Sequence, residues 1–131
     1  MAPRILVVDD DEQPRRSLAI GLRSSGLDVY DVAEGTSALA LLAEWPFELA
    51  LIDLMMPGLN GLQLIRKLSI DHPGLPVLLM SGYHLSRKQL EQVGLNAVAF
   101  VPKPYPLGEL VDFVWRKIGL PRALPPQLRS A

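Results

Sequence analysis

Five short apolar runs are spaced along the chain, with segments of helical period between them. Ile5-Leu6-Val7-Val8 is continuous, β-branched at three positions and closed by acids, the pattern of a strand buried on both faces. Leu49-Ala50-Leu51-Ile52 repeats it and ends at Asp53, and a third run covers Pro76 to Met80 and ends at Ser81-Gly82. Val29 to Val32 and Val98 to Val101 complete the set, the last followed by Pro102-Lys103-Pro104. Gln13 to Ser25 reads as a helix, with Pro14 near its start, Leu18, Leu22 and Ser25 on one stripe, and Gly26 as its C-terminal cap. Thr36 is a good N-cap for Ser37 to Glu44, whose apolar face is Ala38, Leu39, Leu41 and Leu42. After a Pro57-Gly58 turn, Gly61 to Ser69 turns Leu62, Ile65 and Leu68 inward. Ser86 to Val93 is a short helix closed by Gly94, and Leu107, Leu110, Val111, Val114, Trp115 and Ile118 form the stripe of a final helix. Trp115 reads more readily as core than as an interface anchor.

Strict strand–helix alternation with continuous apolar strands predicts an α/β fold, a parallel sheet covered on both faces. A barrel of eight such units needs about 250 residues, and this chain has 131. An open, doubly wound five-stranded sheet is the remaining common solution. The folded unit is expected over 1–119, with 120–131, which holds three prolines, as a tail or linker stub. The composition, 49% apolar and 21% charged, excludes a disordered chain. No apolar run approaches the ~18 residues of a membrane span. Met-Ala-Pro-Arg leads into an apolar stretch ending in four acids, unlike a secretory signal, so a cytoplasmic location is expected. With no cysteine, disulfides and thiolate metal sites are excluded.

The net charge of −1 is uninformative, but its distribution is not. Residues 1–60 carry ten acids and four bases, and residues 61–131 four acids and nine bases. This points to a local acidic site rather than a nucleic-acid-binding surface. In doubly wound sheets ligands bind outside the carboxyl ends of the strands. The residues there are Asp9-Asp10, Asp53, Ser81 and Lys103. Each has an ordinary role open to it: the acids can favour a helix N-terminus, Asp53 can serve a turn, and Lys103 can belong to a loop. Together they complement one another. Carboxylates within a few ångströms cannot all stay ionised without a cation. An oxygen-only cluster favours a hard divalent ion such as Mg²⁺, with Mn²⁺ as the alternative. A carboxylate beside such an ion can accept a phosphoryl group, whose oxygens a lysine and a hydroxyl would hold. His72 and His84 are not placed for such a role and read as structural.

The residues that carry a family resemblance are Ile5-Leu6-Val7-Val8-Asp9-Asp10-Asp11-Glu12, Leu51-Ile52-Asp53-Leu54-Met55-Met56-Pro57-Gly58 with Gly61, Met80-Ser81-Gly82, and Phe100-Val101-Pro102-Lys103-Pro104. In this order and at these spacings the chain, from about Arg4 to Ile118, resembles a receiver domain of bacterial two-component response regulators. The resemblance implies a flavodoxin-like (βα)5 sheet of strand order 2-1-3-4-5. It implies Asp53 as phosphoacceptor and Asp10 as direct Mg²⁺ ligand. Asp9 would help through water, and Asp53 and the Met55 backbone carbonyl would complete the protein's share of the metal shell. Ser81 would be the switch hydroxyl, Phe100 the switch aromatic, and Lys103 the partner first of the carboxylate and then of the phosphoryl group. The Lys103–Pro104 bond would be cis. Met55 and Tyr83, both large and neither an acid nor an amide, would flank the path of an attacking water and slow autodephosphorylation.

The implied function is phosphorelay reception rather than enzymatic turnover. A sensor histidine kinase or phosphotransfer protein would phosphorylate Asp53. Movement of Ser81 and Phe100 would then alter the surface made by the fourth helix, fifth strand and fifth helix. The output would be a downstream protein or a fused domain, with phosphorylation-dependent homodimerisation as a further route, and neither nucleic acid nor membrane is bound directly. An unphosphorylated interaction module is the alternative. A flavin carrier would need a phosphate loop after the first strand, where this chain has four acids. An aspartyl phosphatase would use Asp9 and Asp11 but leave Asp53 and Lys103 without a role.

Overall fold

The computed structural model describes residues 2–56, 61–82, 88 and 97–119. Five strands, β1 (Arg4–Val8), β2 (Asp28–Val32), β3 (Leu49–Asp53), β4 (Val77–Ser81) and β5 (Ala97–Pro102), form one parallel sheet in the order β2-β1-β3-β4-β5. The described helices are α1 (Glu12–Ser24), α2 (Gly35–Glu44), α3 (Gly61–Asp71) and α4 (Leu107–Lys117). The predicted Pro57-Gly58 turn, the helix over 86–93 apart from residue 88, and residues 120–131 lie outside the described residues, so the predicted fifth helix is α4 here.

The central strands read as continuous apolar runs because both of their faces are covered. Ile5, Val7, Leu49, Leu51, Leu78 and Met80 pack against α1 and α4 through Leu18, Leu22, Leu110, Val111, Val114 and Trp115. Leu6, Val8, Ala50, Ile52, Val77 and Leu79 face α2 and α3 through Ala38, Leu42, Leu64, Ile65 and Leu68. The alternation of side chains along each strand divides one apolar run between two cores. Trp115 is buried, and its indole N–H donates to Ser25 Oγ at 2.9 Å. Among the described residues no helix is long and apolar enough to cross a membrane.

Several local expectations change. The helix predicted from Ser37 begins at Gly35, with Glu34 at the N-cap position, and Thr36 lies inside it. The Thr36 hydroxyl contacts the Glu34 carboxylate at 3.5 Å rather than capping the helix. On α3 the inward stripe is Gly61, Leu64, Ile65 and Leu68, and Leu62 is exposed. Spacings of three, four and seven from Gly61 fix that face, and the glycine's lack of a side chain hid it from an apolar count. Gly26, at φ +107°, follows the α1 C-cap Ser25 in the conformation that favours glycine.

The ends of the strands are held in register. Asp53 lies beside Met80 across β3–β4, and Ser81 beside Pro102 across β4–β5. The Leu54 N–H donates to the Met80 carbonyl at 2.9 Å, and the Lys103 N–H to the Ser81 carbonyl at 2.8 Å. α3 starts hard against this edge. A Cβ at Gly61 would stand 2.3 Å from the Asp53 carbonyl oxygen and 2.5 Å from Leu54 Cα.

Candidate functional site

The register brings together residues far apart in sequence. Asp9 follows β1, Asp53 ends β3, Ser81 ends β4 and Lys103 follows β5. Asp9, Asp53 and Ser81 are buried, and Asp10 is exposed at the rim. One carboxylate oxygen from each of Asp9, Asp10 and Asp53 lies within 4.8 Å of the other two. The Lys103 ammonium donates to Asp9 Oδ2 at 2.8 Å and to Asp53 Oδ2 at 3.1 Å. The other Asp53 oxygen accepts the Met55 N–H at 3.0 Å, and the other Asp9 oxygen accepts the Asp11 N–H at 3.0 Å. The Lys103–Pro104 peptide is cis.

The acids beside Asp9 behave differently from one another. Asp11 occupies the N-cap position of α1 without a side-chain cap bond, and it is Asp9 that receives the Asp11 N–H. Glu12 lies in the first turn and pairs with Arg16 at 3.2 Å. The resemblance gave Lys103 one carboxylate partner. It has two, and the shorter contact is to Asp9. Met55 is largely exposed, and Phe100 is half-buried against the core face that carries Leu6 and Val8. Tyr83 and His84 lie outside the described residues.

Three carboxylates against one ammonium leave the pocket two negative charges in excess. Burial pushes the Asp53 carboxyl above its ordinary range, and neighbouring Asp9 adds to that push. The Met55 N–H and Lys103 oppose it without cancelling it. Burial alone would lower the Lys103 pKa, but its contacts with Asp9 and Asp53 outweigh burial and hold it above the usual lysine value. Tyr105, next along the chain from Pro104, is also raised, by burial first, with the Lys103 cation opposing. The pocket therefore holds a firmly charged lysine and more negative charge than that lysine balances. An oxygen-only donor set with excess negative charge fits a hard divalent cation. Asp9, Asp10 and Asp53 are the residues that would hold it.

Sequence reasoning passed over Arg15. Its Nη1 donates to the Asp9 carbonyl at 3.1 Å and its Nε to Asp31 Oδ2 at 3.1 Å. The available signal was a basic residue four positions after Asp11 in a helix that directly follows the acids, but its partner Asp31 lies on another strand.

The fold and this pocket define a class, and comparison with known proteins gives the same one. The family model for the response regulator receiver domain matches residues 5–114, and the chain belongs to that family. The response regulator protein FleR of Pseudomonas aeruginosa is 34% identical over 116 residues, which are 88% of this chain and 24% of that protein. A CheY-like response regulator receiver domain protein from Methanospirillum hungatei superposes with a TM-score of 0.83 at 28% identity, covering 90% of this chain and 94% of the other. The response regulator TrrA from Thermotoga maritima, solved in complex with Mg²⁺-BeF, superposes with a TM-score of 0.78 at 27% identity over 88% and 98% of the two chains. The curated relatives include a transcriptional activator and DNA-binding response regulators, and the chain spans about a quarter to a half of their length.

Proposed function

We propose that this receiver domain accepts a phosphoryl group on Asp53 from a phosphohistidine of a sensor kinase or phosphotransfer protein in the cytoplasm. The observation that carries the reading is the Lys103 ammonium shared between Asp9 and Asp53, with the Asp10 carboxylate completing the cluster. In the transfer an Asp53 oxygen attacks phosphorus. A P–O bond forms, the P–N bond breaks, and the electron pair leaves on the imidazole. No general base is needed, because the ionised carboxylate already presents a lone pair. The acyl phosphate brings further negative charge into a pocket that already holds an excess, which is why the transfer would need a cation there beside Lys103.

Asp10 and Asp53, with Asp9 through water and the Met55 carbonyl, would hold Mg²⁺, or Mn²⁺ in its place. When bound, that ion would neutralise charge on the phosphoryl oxygens. Lys103 would follow the charge from the carboxylate to the phosphoryl oxygens, and the Ser81 hydroxyl would donate to them. Ser81 and Phe100 lie on neighbouring strands at this edge, so a shift of one alters the packing available to the other. The surface beside β5 and α4 would carry the signal to a fused output domain or a separate protein. Met55, exposed beside Asp53, would shield the phosphoryl group from water without orienting one.

The test is intact-mass measurement after incubation with acetyl phosphate. The wild type gains one phosphate only when Mg²⁺ is supplied, and Asp53→Asn gains none. A wild type that stays unmodified under these conditions would instead mark an interaction module working without phosphorylation.

A further inference from the structure

Every polar atom of Asp9 is engaged. Its N–H donates to the Val32 carbonyl at 3.1 Å, its carboxylate receives the Asp11 N–H and Lys103, and its carbonyl receives Arg15. Arg15 lies in the early part of α1 with its side chain only 14% exposed. Its guanidinium spans two acceptors: Nη1 reaches the Asp9 main chain, and Nε reaches Asp31 near the carboxyl end of β2. Asp31 is itself anchored, because Arg23 Nη2 donates to its other oxygen at 3.0 Å and to the Val29 carbonyl at 2.8 Å. A chain of contacts thus runs from β2, through Arg15, into the loop that presents the acids. Asp10 is exposed, and the main chain on either side sets where its carboxylate stands.

We infer that Arg15 is a positioning residue for the acid pocket, fixing the Asp9–Asp11 main chain so that Asp10 reaches the cation shared with Asp9 and Asp53. The inference rests on the cation reading given above. The guanidinium reaches the two acceptors from two separate nitrogens, Nη1 and Nε, whereas a lysine at this position would have one nitrogen to place between them. Groups that orient metal ligands in this way typically change affinity by about 10–100-fold when removed. The sign separates this role from simple electrostatics. A guanidinium beside an acidic pocket repels a divalent cation, so its removal would tighten cation binding if charge were all that mattered. If Arg15 acts by position, its removal weakens binding.

The experiment is calorimetric titration of the whole chain with Mg²⁺ at fixed ionic strength, with thermal unfolding in chelator to establish that each variant is folded. Arg15→Ala is expected to weaken Mg²⁺ binding by about tenfold or more. Arg15→Lys, which keeps the charge, stays weakened, and Asp31→Asn weakens binding in the same direction. Arg23→Ala disturbs Asp31 without touching Asp9 and stays closer to wild type than any of these. If Arg15→Ala does not fold, Arg15→Lys, which keeps the charge, decides the question. Unchanged or tighter binding in Arg15→Ala, or full affinity in Arg15→Lys, overturns the role. A wild type that binds no Mg²⁺ overturns the cation reading itself, a different result from a wild type that binds and variants that match it.

Discussion

Replacing Lys103 with methionine removes the ammonium while keeping most of the side chain's length and apolar stem. That ammonium stands 2.8 Å from the Asp9 carboxylate and 3.1 Å from that of Asp53. At an effective dielectric of ~20 each ion pair represents about 5–6 kcal/mol of Coulomb attraction before desolvation is subtracted. Removing one partner of a buried pair typically costs about 3–5 kcal/mol, because the remaining charge is left uncompensated. Lys103 keeps some exposure to solvent, which places the expectation at about 3 kcal/mol, or a fall in Tm of roughly 10 °C for a domain of this size. The assay is thermal unfolding in chelator across pH. Lys103 is held above its usual value, so its contribution is present at neutral pH and is lost as pH rises through that raised value. Asp53 is also raised, so the fold binds its proton more tightly than the unfolded chain does. Its contribution favours folding below the unfolded value, about pH 4, and is lost as pH rises through the folded one. The gap between wild type and Lys103→Met is therefore widest between those limits and narrows at both ends. Adding Asp53→Asn to Lys103→Met recovers part of the stability. Equal stability of wild type and Lys103→Met at neutral pH, or a further destabilisation on adding Asp53→Asn, would mean that the ammonium does not stabilise the fold by balancing these carboxylates.

Gly61→Ala brings a methyl group to 2.3 Å from the Asp53 carbonyl oxygen, about 1 Å inside ordinary van der Waals separation, and both neighbours are backbone. It is expected to cost about 3 kcal/mol in denaturant unfolding and to weaken Mg²⁺ binding by shifting the end of β3. Ser25→Ala removes the acceptor of the buried Trp115 N–H, with an expected destabilisation of about 1–3 kcal/mol in the same assay. Met55→Asn places a group able to orient water beside Asp53. The half-life of the phosphorylated protein, followed by mass, should shorten, and an unchanged half-life counts against the shielding role.

The strands were legible because burial on both faces leaves a mark that needs no partner to interpret: Ile5 to Val8 and Leu49 to Ile52 are apolar throughout. Their ends then located Asp9, Asp53, Ser81 and Lys103, since a parallel sheet aligns its carboxyl edges. Features that depend on side-chain geometry were less visible. Leu62 and Leu64 are equally apolar, and only the close approach of Gly61 to β3 decides which one turns inward. Thr36 looked like a cap because the hydroxyl was counted without the main-chain path that begins α2 at Gly35. The sharing of Lys103 between two acids, and the span of Arg15 from Asp9 to Asp31, join positions separated by 94 and 50, and by 6 and 16, residues. No local pattern encodes pairings of that kind.

On the proposed reading Asp53, and no neighbouring acid, carries the phosphoryl group. Incubation with Mg²⁺ and acetyl phosphate, reduction of the acyl phosphate with borohydride, and peptide sequencing by mass spectrometry would locate it. Homoserine is expected at position 53, with unaltered aspartate at positions 9, 10 and 11. Homoserine at any of those three, with Asp53 intact, would place the phosphoryl group on a different acid and overturn the assignment.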